Sequence, residues 1–85
     1  MRTQEIENQL RQRPFVPFRL RMSDGKAYDV RHPEMLMVSR TILAVAIHRP
    51  RTRQPEAIVF CDPVHIIRLE PMVNGRPKAA RSSKR

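Results

Sequence analysis

The segment "RPRTRQPE", residues 49 to 56, sets arginine at alternate positions 49, 51 and 53 among two prolines. A loop of that composition presents several guanidinium forks at once, which suits it to phosphates or carboxylates. Arg49, Arg51 and Arg53 are therefore the first candidates for contact with a polyanion. Arg19, Arg21 and Arg31 come next, because they hold the polar positions of two alternating segments and so share the outward face of a hairpin. There they are expected to form either a positive stripe for phosphate contact or an ordinary solvated sheet face. The chain has 17 basic and 8 acidic residues, a formal charge of +9. Arg76, Lys78, Arg81, Lys84 and Arg85 contribute +5 in a final decapeptide without an acid, leaving +4 for residues 1 to 75. Dense local charge attracts polyanions at long range and releases counterions on contact, so nucleic acid or an acidic protein is the expected partner class. Base stacking is poorly provided for. Tyr28 is the only tyrosine, tryptophan is absent, and Phe15, Phe18 and Phe60 are read as core.

Catalysis has weaker material. Asp24, Asp29, Glu34, Asp62 and Glu70 could serve as acids and Ser23 or Ser39 as nucleophiles. General acid/base work needs a positioned pair with shifted pKa values, usually in a cleft. Simpler roles account for these acids: Asp24 and Asp62 suit turns, and Asp29 and Glu34 can balance neighbouring arginines. Gly25 and Gly75 are the only glycines, so there is no phosphate loop or dinucleotide pattern and no cofactor is expected. Among His32, His48, Cys61 and His65, only Cys61 and His65 are closely spaced, and a structural zinc site needs a second close pair. The reading is a protein without catalytic or metal residues, in which Cys61 is a small buried hydrophobe.

The elements that must position these side chains follow from periodicity. Residues 3 to 12, "TQEIENQLRQ", predict a short helix with Thr3 as N-cap, Glu5 in the first turn, and Ile6 and Leu10 on one face. "RPFVPF" is an extended connector, since each proline pushes its predecessor out of the helical region. Phe18, Leu20 and Met22 then alternate with Arg19, Arg21 and Ser23. Asp24-Gly25 reverses the chain through positive backbone dihedrals, and Tyr28 and Val30 return on the Phe18 side. His32, Pro33 and Glu34 end that strand in a turn fixing it against the next. Met35 to Val38 and Thr41 to His48 form one bent strand or two short ones. Ala57 to Cys61 form another, "DPV" a tight turn, and Ile66 to Leu69 the last, with Pro71 closing the fold. The sum is a mainly β domain over residues 1 to 73, a small five-stranded barrel or strongly curled antiparallel sheet with a short N-terminal helix. Residues 74 to 85 read as a basic, disordered tail.

Helix, five strands and a one-turn break before the last strand, ending in "DPVHIIRLE", resemble the Sm-like barrel, a relative of SH3-like barrels. That resemblance implies oligomeric rings on uridine-rich RNA, but no counterpart of the ring family's RNA-binding signature is present, so no ligand residue carries over. A more local likeness covers residues 11 to 70. Pro14-Phe15, Pro17-Phe18-Arg19, Asp24-Gly25, Val30, His32-Pro33-Glu34 and Ile66 to Glu70 are similar to a set of small bacterial proteins, and that likeness implies a family domain without assigning a function. The longest apolar run, Ile42 to Ile47, is six residues, far below the roughly 20 that span a bilayer. With one cysteine and no signal-peptide core, a cytoplasmic location and no membrane partner are expected. Two functions fit: a noncatalytic module contacting nucleic-acid phosphates through arginines, or a protein-interaction or homo-oligomeric assembly module that does not bind nucleic acid.

Overall fold

In the computed structural model the described residues are 1–49, 51–52, 54–73 and the backbone of 76–77. The chain begins with α1 (Thr3–Arg11). Arg2, not Thr3, is the extended N-cap residue and makes no side-chain cap bond, while Glu5 donates its backbone N–H to the Arg2 carbonyl at 3.2 Å. A nine-residue helix is marginal alone in water. Its anchor is Ile6, wholly buried in the core, with Leu10 packed beside it. The Met1 amino group also donates to the Pro63 carbonyl at 2.9 Å, tying the start of the helix to a distant turn. Phe15 then meets Phe18 edge-on, ring centroids 6.1 Å apart.

Among the described residues seven strands follow: β1 (Phe18–Met22), β2 (Ala27–Val30), β3 (Leu36–Val38), β4 (Leu43–Ile47), β5 (Ala57–Cys61), β6 (Ile66–Val73) and β7 (Arg76–Pro77). They form two antiparallel sheets, ordered β2-β1-β6-β7 and β3-β4-β5. Neither the expected five-stranded barrel nor the strongly curled single sheet is found; both sheets are open and uncurled. The protein is a small mixed α/β domain of one helix and two open sheets, although strand dominates it. Two proline turns account for the difference. Pro33–Met35 and Pro63–His65 are single 3₁₀ turns, one between β2 and β3, the other between β5 and β6. Each carries the chain from one sheet to the other, and no ladder crosses either junction. In the first turn Met35 donates to the His32 carbonyl at 3.0 Å. In the second Asp62 accepts from the Val64 amide at 3.0 Å.

Other turns also differ in detail from the simplest reading. Met22 donates to the Lys26 carbonyl at 2.9 Å and Gly25 to the Met22 carbonyl at 3.1 Å, so the first hairpin has a three-residue loop. Only Gly25 takes a positive φ there, +90°; Asp24 instead accepts from the Lys26 amide at 2.9 Å. Ser39 splits the Met35–His48 stretch into two strands, its hydroxyl donating to the Ile42 carbonyl at 2.9 Å and accepting from the Ile42 amide at 3.1 Å. β6 continues through Pro71, paired along one side with β1. Ile67 is the extra residue of a bulge between the Arg21–Arg68 and Met22–Ile66 pairs. The inner faces of both sheets meet around Phe18, Leu20, Val30, Leu43 and Val45, all wholly buried. No helix among the described residues is long and apolar enough to cross a membrane.

Candidate interaction surfaces

With Phe18, Leu20 and Met22 turned inward, Arg19 and Arg21 stand on the outer face of the four-stranded sheet. Carboxylates occupy them there. Arg19 lies directly opposite Asp29 in the ladder and binds it with two guanidinium nitrogens, Nε to Oδ1 at 2.6 Å and a terminal nitrogen to Oδ2 at 3.1 Å. That hydrogen bond raises the Arg19 pKa and lowers that of Asp29, outweighing the opposing effect of burial. Arg31 reaches the same carboxylate at 3.5 Å. Arg21 Nε donates to Glu70 at 3.2 Å, and Arg68 Nε to the other oxygen of Glu70 at 2.6 Å. Glu70 is only 3% exposed, the burial expected of a carboxylate that has charged donors on both oxygens. The outward stripe thus exists geometrically, but as an ion-paired layer in which Arg19 and Arg21 are held within the fold. The share of Arg68 and Glu70 in it was missed in the sequence. Its signal was the polar–apolar–polar alternation of Arg68, Leu69 and Glu70 ahead of Pro71.

A groove of about 1160 Å³ lies between the free edge of β2 and the end of β4 with the loop after it. It gathers Arg19, Arg31, His32, Glu34, Arg49 and Arg51, six of the positions singled out in the sequence. Lys26, which had not been singled out, also lines it. Arg49 is paired across the loop with Glu56, at 2.9 and 3.3 Å. Arg51 has a φ of 70° and, like Lys26, takes no ion pair among the described residues. Arg21 lies outside the groove, while Asp24 and Gly25 form the hairpin tip and Pro33 leads the first 3₁₀ turn. Arg53, Lys78 and Arg81 lie outside the described residues, and only the backbone of Arg76 is described.

The third surface is apolar. The ladder sets Met37 beside Ala44 and Ala44 beside Phe60, with Ala46 beside Ile58 in the next outward row. Met37, Ile58 and Phe60 are 74%, 58% and 68% exposed, and Ile42 adjoins them at the strand end. Phe60 is therefore not core, as its apolar character suggested. Register with β4 sends Val59 and Cys61 inward beside Val45 and Leu43, which turns Phe60 outward. Cys61 is buried, and burial, with a smaller contribution from Asp24, raises its pKa. Among the described residues no three histidine, cysteine or acidic side chains are placed to hold a metal. His65 Nδ1 lies 3.3 Å from the Ser23 hydroxyl. Comparison with family models, with curated proteins and with solved structures finds no match to this chain.

Proposed function

We propose that this protein is a noncatalytic interaction module that associates with a second copy of itself through the outer face of β3, β4 and β5. The observation that carries this reading is the Met37–Ala44–Phe60 row with Ile58 and Ile42 beside it, a patch without an ionisable side chain on a chain of charge +9. Its large side chains offer on the order of 500 Å² of apolar surface, at the upper end of what monomers expose. A standard interface buries about 800 Å² per partner, with a centre about two thirds apolar. The patch is thus sized for the centre of one. β5 is also an edge strand, so a two-fold partner finds an unpaired ladder at the margin of the same patch. Nucleic-acid binding draws less support, because Arg19, Arg21 and Arg49 are each occupied by a carboxylate.

Sedimentation velocity of the full chain tests the reading. The expected result is a concentration-dependent dimer that strengthens as salt rises, because screening removes repulsion between like-charged copies while apolar contact persists. Phe60→Lys is expected to weaken association by about 30-fold or more, the scale of a central aromatic contact. A wild-type chain that stays monomeric at all salt concentrations refutes self-association.

A further inference from the structure

A second surface adjoins the apolar face at Ala46, and its argument does not depend on self-association. β2 is the outermost strand of its sheet, and the ladder parity identifies which of its backbone groups face outward. Met22 donates to the Lys26 carbonyl at 2.9 Å, and hydrogen-bonded pairs alternate with non-hydrogen-bonded pairs along an antiparallel ladder. Tyr28 and Val30 therefore bond across to Leu20 and Phe18. Ala27 and Asp29, opposite Arg21 and Arg19, turn their N–H and C=O away from β1, and Arg31 does so just beyond the strand. Among the described residues no backbone hydrogen bond uses these outward groups. They open into the groove.

We propose that this edge takes up an extended acidic segment of another protein as an added strand. Three observations select that occupant. First, β2 offers amides and carbonyls together, and only a peptide backbone repeats both complements along its length; a phosphodiester chain brings oxygen acceptors to face the carbonyls. Second, with Arg19 paired to Asp29 and Arg49 to Glu56, the charged side chains left in the groove are Lys26, Arg31 and Arg51 against Glu34, three cations to one anion. This excess opposes the chain's own final decapeptide, with its +5 and no acid, and equally a second copy of a +9 protein. Third, Tyr28, Met35, Ala46 and Ile47 give the groove a buried or half-buried apolar strip, beside the half-buried Arg19, Asp29 and His48. A strand projects alternate side chains to opposite sides, so one row can cover Tyr28 and Ile47 while the other carries acids. Lys26 and Arg31 stand at the two ends of the edge, about 16 Å apart at strand rise, which sets a recognised length of about six residues.

The test uses the full chain and a fluorescein-labelled octapeptide of alternating valine and glutamate. Its controls are the valine–lysine octapeptide, the valine–glutamate peptide N-methylated at alternate residues, and a mixed-sequence single-stranded RNA octanucleotide. Anisotropy at low salt is expected to show the acidic peptide bound at least tenfold more tightly than each control. Hydrogen exchange at the Ala27, Asp29 and Arg31 amides is expected to slow at least tenfold on peptide addition. Lys26→Glu is expected to weaken binding severalfold, whereas Phe60→Lys, which removes the self-association face, leaves it unchanged. Equal binding of the N-methylated peptide, or binding that leaves those three amides unprotected, overturns the added-strand proposal. Tighter binding of the RNA overturns the choice of occupant, and the absence of any acidic-peptide binding overturns the whole inference.

Discussion

The Arg21–Glu70–Arg68 group should respond asymmetrically to mutation, and the asymmetry follows from exposure. The Glu70 side chain is 4% exposed, whereas those of Arg21 and Arg68 are 36% and 61% exposed. Removing the acid leaves two cations able to turn toward water. Glu70→Leu is then expected to cost about 1–2 kcal/mol, the scale of lost surface pairs plus repulsion between arginines that the ladder sets directly opposite each other. Removing both cations instead strands a buried carboxylate. The Arg21→Met, Arg68→Met double variant is expected to cost about 3–5 kcal/mol, as breaking a buried pair does. Adding Glu70→Leu to that double variant removes the stranded charge and should recover most of the loss. Urea unfolding followed by far-ultraviolet circular dichroism, at one protein concentration and pH 7, compares the four proteins through midpoints at constant slope. A double variant no less stable than Glu70→Leu, or a triple variant no more stable than the double, refutes the reasoning. The same series tests the assignment of Arg21 to structure, because the double variant should bind the acidic octapeptide as wild type does.

The Asp29 carboxyl titrates lower in the folded chain than its ordinary 3.8. Its contribution to stability is therefore complete above that value and is lost as pH falls through the lowered folded-state pKa, where the unfolded chain binds more protons. Asp29→Asn should accordingly show a shallower loss of stability below about pH 4, read from urea midpoints across an acid series. Gly25 has φ +90° with nothing within 4 Å of an added Cβ, so Gly25→Ala should cost about 1 kcal/mol from backbone strain alone. Gly25→Asn should cost less, and thermal unfolding ranks the two. Burial of Cys61 should make its alkylation by iodoacetamide at pH 8 about tenfold or more slower than in urea, measured by intact mass. Ile6→Ala should cost about 2–4 kcal/mol, because its wholly buried side chain is the main anchor of a nine-residue helix.

The parts of this fold that the residues alone determine are those governed by local chemistry. The helix over Thr3–Arg11, the inward Phe18–Leu20–Met22 face, the turn at Gly25 and the breaks at Pro33 and Pro63 all follow from periods and dihedral preferences that each segment carries within itself. The same sequence leaves open how strands pair across those breaks, because period-two alternation states which side chains share a face and is silent about which strand lies alongside. Tertiary pairing decided that the two proline turns carry the chain between open sheets instead of bending one sheet into a barrel. It also decided what the arginines do. Arg19 and Arg21 look identical in the alternation, and only the ladder brings Asp29 opposite the first and Glu70 within reach of the second. Phe60 carries the same lesson in the apolar residues: its hydrophobicity argues for the core, but register with β4 assigns the interior to Val59 and Cys61 and leaves the ring on the surface. Composition sets the supply of charge and apolar area, and long-range pairing determines which of it is used within the fold and which remains for a partner.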